Sequence, residues 1–332
     1  MDIVTDTGVG GVIMMPSRRR RRIPKALAWA AVTPFAVWAL ARGAGLERGS
    51  LATQLMTATP YAAAGSLVPV LIAVLIRNRA AAAVALVTTA ALGLSVLPRA
   101  LGSTGSATGT PLRVLTLNTF FGGAEPEFVM GLIRHLRPDV LSIQELTPGL
   151  VEELDRSGLK DLLPYRTLEA EWSSGGTGLY ARYPLTPLKN MFEVIGHNMP
   201  AARMILPGAK PVEIAAVHPL PPLGGQVHDW TAAIGAFPSA SPDTIRILAG
   251  DFNASLDHAV MRRFLSRGYV DAADSAGQGL VPTWPAGRRL PPIITIDHVV
   301  VDRRVNVNAV SVHTVPGTDH RAVFADLRLP PP

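Results

Sequence analysis

The octapeptide LAGDFNAS, residues 248–255, sets a carboxylate, Asp251, and a carboxamide, Asn253, two positions apart behind an apolar run and a glycine. A carboxylate there can orient or deprotonate water, and a carboxamide can donate to the oxygen of an anion. Polar residues of the same kind recur where other apolar runs stop. Asn118 follows LRVLTL, Glu145 follows DVLSIQ, His218 follows PVEIAAV, Asp297 lies within ITIDHVVV, and Asp319 with His320 precedes RAVFADLRL. Carboxylates gathered in one place repel and need a counter-charge. A hard divalent cation such as magnesium takes one or two of them and completes its coordination with water and a substrate phosphate. A histidine beside an aspartate can hold or move a proton near a developing oxyanion. Cysteine is absent from all 332 residues, which excludes thiolate nucleophiles, thiolate metal sites and disulfides.

These residues need elements to bring them together. The stretch 112–120 alternates apolar and polar positions and predicts an entering strand; PEFVMGLIRHL, 126–136, has helical spacing with Pro126 in its first turn and Pro138 beyond its end. Strands are further expected at DVLSIQEL, PVEIAAVHP, TIRILAGDFN, ITIDHVVV and the closing RAVFADLRL. Strand ends that converge on one rim of a sheet form a rigid platform for a polar cluster.

The first third of the chain has a different character. Residues 1–110 carry eleven Lys/Arg against three Asp/Glu, whereas 111–332 carry twenty against twenty-two, so the formal charge of +6 belongs to the front. A basic segment, 1–25, with Arg18 to Arg22 and Lys25, precedes three apolar runs expected to cross a membrane at about 26–42, 58–76 and 80–98. A cleaved signal peptide would account for the first run but not for the other two. Arg77-Asn78-Arg79 leaves room only for a tight hairpin between the second and third. Residues 99–111, small and polar, read as a linker to a catalytic unit at 112–332. Retention of basic residues on the cytoplasmic side puts Arg18–Lys25, Arg77 and Arg79 inside. The expected product is a multi-pass protein of the cell membrane with its catalytic unit outside the cytoplasm.

Taken together, LTLNTF, SIQEL, AAVHP, LAGDFNAS, TIDHVVV and GTDHRAVFADL resemble the endonuclease/exonuclease/phosphatase superfamily, the metal-dependent phosphodiesterases related to deoxyribonuclease I. The motifs run in the family's order from about 112 to 329. The resemblance implies an α/β four-layer sandwich, two packed mixed β-sheets flanked by helices, here preceded by about three transmembrane helices. It also implies Mg2+, or alternatively Mn2+. Glu145 would be the principal metal ligand, with Asn118 beside it and Asp319 near the same ion. Asp251 would orient or deprotonate the attacking water, and Asn253 would donate to a non-bridging phosphate oxygen. His320, held by Asp297, would contact the scissile phosphate, and His218 would be the second phosphate-facing histidine, a candidate acid for the leaving oxygen.

His298 falls on the opposite face of its strand from Asp297 and reads as structural. His135, His197, His258 and His313 match no motif and read as surface or packing residues, and His228 belongs on a helix. SSGGTGLYARYPL, 173–185, also fits the family, with Ala181 where serine is frequent; Tyr180 and Arg182 could reach substrate or pack across strands. Trp284 sits on a loop where it could line the substrate mouth. The catalytic unit, at a formal −2, shows no basic stripe interleaved with aromatics, which weighs against a polyanion. Arg262–Arg263 and Arg288–Arg289 remain as possible pieces of a local groove. The expected partners are therefore the lipid bilayer and a phosphodiester substrate, either a lipid headgroup or another phosphorylated envelope component, with nucleic acid as the alternative. A catalytically silent scaffold of the same fold is the reading from another class. Nothing in the sequence implies a protein partner.

Overall fold

Strand alternation decides where this molecule buries its side chains. In β1 (Thr110–Asn118), Leu112 and Val114 point one way into one apolar cluster, while Leu115 and Leu117 point the other way into a second. The computed structural model describes residues 19–102, 108–287 and 291–331. The Arg18–Arg22 side chains, residues 103–107 of the expected linker and the Arg288–Arg289 pair lie outside the described residues.

The N-terminal region is helical: α1 (Arg19–Ala44), α2 (Gly49–Met56), α3 (Thr59–Gly65), α4 (Leu67–Leu75) and α5 (Arg79–Val96). Ala28, Val32, Ala73, Ala81 and Ala85 pack where α1, α4 and α5 meet, small side chains that let helix backbones approach closely. Two helices, Lys25–Ala44 and Arg79–Ala100, are long and apolar enough to cross a membrane. The expected middle span is less regular: Thr59–Leu75 is bent by 65° against Gly49–Met56, and the two pass as a third span only if taken together. The tight hairpin is present, with Asn78 Oδ1 accepting from Ala81 N to cap α5.

From β1 onward come α6 (Pro126–Leu136), β2 (Val140–Gln144), α7 (Pro148–Arg156), α8 (Leu159–Leu162), β3 (Tyr165–Glu169), β4 (Thr177–Ala181), β5 (Leu185–Pro187), β6 (Ala201–Met204) and β7 (Val212–Val217). Then follow α9 (Val227–Ala236), β8 (Ile245–Asp251), α10 (Ala259–Leu265), β9 (Tyr269–Asp271), α11 (Ala272–Ser275), β10 (Asp297–Asp302), β11 (Asn306–Thr314) and β12 (Arg321–Leu329). They form two six-stranded mixed sheets, ordered β11-β12-β1-β2-β4-β3 and β5-β6-β7-β8-β10-β9. Leu112, Val114, Val140, Ile214, Ile247 and Val299 fill the space between them, each worth about 1.5–3 kcal/mol when fully buried. Outside one sheet α6 and α7 cover a second cluster, and outside the other α9 and α10 cover a third, which completes four layers.

The parity that buries these chains also aims the polar ones. Asn118 continues the face of Leu112 and Val114, Asp251 that of Ile245 and Ile247, Asp297 that of Val299 and Val301, and His218 that of Val212 and Ile214. The space between the sheets is thus apolar along most of its depth and polar at one end.

Candidate active site

At that polar end all eight residues expected from the sequence come together. Asp251 and Asp297 are direct partners in the β8–β10 register. His320, just ahead of β12, places Nδ1 3.0–3.1 Å from both oxygens of Asp297, and its Nε2 lies 3.7 Å from Asp251 Oδ2 and 3.8 Å from Asp319 Oδ1. Asn118 bridges two carboxylates, its Nδ2 donating to Glu145 Oε1 and to Asp251 Oδ2, both at 3.1 Å. Its Oδ1 accepts from Phe120 N at 3.0 Å, so the carboxamide orients the carboxylates with its nitrogen. Asn253 N donates to Asp251 Oδ1 at 2.8 Å, and Asn253 Nδ2 to Pro219 O at 3.1 Å. His218 Nε2 stands 3.8 Å from Asp251 Oδ2.

The backbone is held in costly shapes to achieve this. Glu145, one residue past β2, has φ of 54°, and Asn253 has φ of 48°, both in the left-handed region. The turn at Glu145 lets Phe121 N donate to its Oε2 at 2.8 Å. Gly250 answers a different demand, since a Cβ there would stand 1.9 Å from Val217 O; only glycine lets β7 and β8 approach this closely beside Asp251.

Burial sets the protonation pattern. It pushes the Asp251 carboxyl up, helped by Asp297 and opposed by His320, to about 7. It would lower His320, but Asp297 and Asp251 outweigh it and hold the imidazolium, pushed up to about 10. His218 is driven well below its usual value by burial, then by His197 and His320. Of the two histidines, His320 is the charged one and His218 the neutral one. Burial also raises Glu145, against its hydrogen bonds from Asn118 and Phe121.

A cavity of about 560 Å3 opens over this cluster, lined by Glu145, His218, Asp251, Asn253, Asp319 and His320, while Asn118 and Asp297 lie beneath. Among the described residues that line it there is no lysine or arginine. Several carboxylates facing one imidazolium leave negative charge uncompensated, and hard oxygen donors of this kind suit a divalent cation. Asp251, Asp297 and His320 are also close enough together to hold an ion. In that trio the His320 Nδ1 edge already faces Asp297.

The other residues singled out in the sequence fall mostly where it put them, with His197 the exception. Trp284 does line the cavity, and its Nε1 donates to Asp319 Oδ2 at 3.2 Å. Tyr180 is fully buried among helix-covered apolar residues and Arg182 pairs with Asp139, so neither is near the cavity. His197, expected at the surface or in packing, lines the cavity with its ring 4.4 Å from that of His218 and its Nε2 3.2 Å from Ser174 Oγ. No sequence motif marks it. His258 is buried: Nδ1 accepts from Ser255 N at 2.9 Å and Nε2 lies 2.8 Å from Thr53 O of α2. His298 is committed to Asp271 and to Ala254 O, at 2.9 and 2.8 Å, on the far face from Asp297. His135 and His228 are exposed, the latter on α9, and His313 is half-buried beside Ser311.

Residues 115–320 match a family model described as the Endonuclease/Exonuclease/phosphatase family. No curated protein matches the chain by sequence. Solved structures do match it. TDP2 from C. elegans is 15% identical with a TM-score of 0.52, over 73% of this chain and 84% of that one. D. rerio TDP2 complexed with single strand DNA product is 15% identical with a TM-score of 0.51, over 66% of this chain and 99% of that one. An endonuclease/exonuclease/phosphatase from Beutenbergia cavernae DSM 12333 is 19% identical with a TM-score of 0.49, over 66% and 72%.

Proposed function

Because the chain belongs to the endonuclease/exonuclease/phosphatase family, whose members hydrolyse phosphoester bonds, we propose that it is a membrane-anchored, divalent-metal-dependent phosphodiesterase with its catalytic unit outside the cytoplasm. The observation that carries this reading is a cavity in which several carboxylates face the His320 imidazolium with no lysine or arginine among its described lining, a setting in which a metal's charge would help a phosphate to bind.

In this reading Glu145 and Asp319, with Asn118 beside them, would hold Mg2+ or Mn2+, which would supply positive charge to offset that of the phosphate. Asp251, kept in orientation by Asn118 Nδ2 and Asn253 N, positions the water and takes its proton. The His320 imidazolium, backed by Asp297, donates to the phosphate oxygens. Asn253 lines the same cavity and lends its amide. His218, neutral, donates a hydrogen bond rather than a full proton.

The membrane placement has its own support. Arg42, at the end of α1, and Arg99, just after α5, both bind Asp257 of the catalytic unit. Two candidate spans that deliver their C-terminal ends to one carboxylate run in the same direction. The chain between them therefore has to return, and Thr59–Leu75 is the segment that can. Basic residues at 18–25 and at Arg77 and Arg79 then fall together on the cytoplasmic side.

A nucleic-acid substrate is the second reading, favoured by the D. rerio TDP2 structure with its single strand DNA product and disfavoured by the lining. The test is hydrolysis of bis(p-nitrophenyl) phosphate by the full chain in detergent, with and without magnesium. Metal-dependent turnover that Asp251→Asn lowers by about 100-fold or more is expected. Silence across several divalent metals would mean a scaffold that has kept the fold without the chemistry.

A further inference from the structure

The cavity wall is not built by the catalytic unit alone. Gln54 of α2 and Thr57 just after it line the same space as Glu145 and Asp251. These two residues belong to the hydrophobic N-terminal region, and that region is fastened at several points around the opening. Ser50 Oγ donates to Pro222 O and accepts from Gly224 N, both at 3.1 Å, and Tyr61 Oη donates to Ile293 O at 2.7 Å. Behind them stands a buried clamp on Asp257, which is 1% exposed. Arg42 Nε binds its Oδ1 at 2.6 Å, and Arg99 binds both oxygens at 2.7 and 2.8 Å. Arg262 Nη2 donates to Arg42 O at 2.5 Å, and Ala259 N donates to Glu47.

The opening itself is apolar. Phe121, Leu223 and Ile293 line it while remaining 55%, 51% and 44% exposed. Large apolar side chains left exposed together mark a surface made to receive something apolar. Here Ile293 and the Pro222–Gly224 turn are bonded directly to Tyr61 and Ser50, next to helices able to enter a bilayer. A substrate that is all polyanion finds no lysine or arginine on the described lining, only the His320 imidazolium at its floor. One whose phosphate reaches the metal site while an apolar chain lies along the rim finds a partner for each part.

We propose that the N-terminal hydrophobic region completes the catalytic cavity and that the substrate is a phosphodiester carrying a long apolar chain, presented from the bilayer. This rests on the phosphodiesterase reading above. The reaction needs only water: its oxygen bonds to phosphorus, the P–O bond to one alcohol breaks, and the two protons end on the phosphate and the departing alcohol.

The probes are the ethyl and hexadecyl esters of p-nitrophenyl phosphate, given with magnesium to the full chain in phosphatidylcholine vesicles. Shared location in the membrane favours the hexadecyl ester by about 100-fold whatever the cavity does, so the decisive quantity is how variants change the hexadecyl-to-ethyl ratio of kcat/KM. Leu223→Glu and Ile293→Glu alter exposed positions, and Gln54→Trp narrows the cavity from α2; each should lower that ratio by about tenfold. Ratios unchanged in all three variants would overturn the proposal. So would a single-stranded oligonucleotide cleaved with a higher kcat/KM than the hexadecyl ester. If the wild-type chain cleaves neither ester nor oligonucleotide, the phosphodiesterase reading itself falls.

Discussion

Asp297 and His298 are sequence neighbours whose side chains do unrelated work, because a strand turns them to opposite faces. Asp297 backs His320 in the cavity, and His298 fills the partner role for Asp271 on the outer side. Substituting His298→Ala leaves the Asp271 carboxylate buried without its ring, and should cost about 3–5 kcal/mol in chemical denaturation while folded molecules keep their turnover. His320→Gln should do the reverse, losing about 100-fold or more in turnover in molecules that stay folded. The opposite ranking would overturn the face assignment. At this scale the sequence was informative wherever a polar residue interrupted an alternating run, which is how Asn118, His218, Asp251 and Asp297 could be found. It was silent on His197, whose place in the cavity depends on the irregular segment between β5 and β6 and not on any local period.

Strands and helices were legible where periodicity is strong: the helix expected at 126–136 is Pro126–Leu136. Ends were less so. The strand expected from 294 begins at Asp297, and the one expected to reach Glu145 stops at Gln144, since Glu145 takes a left-handed backbone that its sequence does not announce. One ladder of charges also crosses three strands. Arg203, Glu213 and Arg246 are register partners on β6, β7 and β8, and both arginines bind Glu213, at 2.8 and 2.9 Å. Burial pushes the Glu213 carboxyl up, but the two guanidinium groups outweigh it and hold it below its ordinary 4.5. A carboxyl depressed on folding contributes stability above the unfolded value and loses it as pH falls through the folded one. Thermal unfolding should therefore show wild type ahead of Glu213→Gln at about pH 7 and the gap closing at about pH 3. A gap independent of pH would mean that the ladder acts by packing alone.

Across the whole molecule, the apolar N-terminal region could be read from hydropathy, but its docking on the catalytic unit could not. Arg42 and Arg99 reach a carboxylate 215 and 158 residues away, and ion pairs at that separation leave no local pattern. Arg99 was expected in a linker, and Arg262 was only a possible piece of a local groove; both hold the two regions together. The orientation argued from this arrangement can be measured: a C-terminal alkaline phosphatase fusion should be active, and a C-terminal green fluorescent protein fusion should be dark. A bright fluorescent fusion with a silent phosphatase would place the catalytic unit in the cytosol. The Asp257 clamp also fixes an order of events during biosynthesis. Both arginines are synthesised long before their acid, and the loops that must close are among the longest the chain offers, so the contact forms late. In the exported orientation proposed above, Gln54 and Thr57 would have no cavity to complete until the last strands are in place. In that orientation the nascent protein would travel to its destination as an unfinished enzyme and become whole only on arrival.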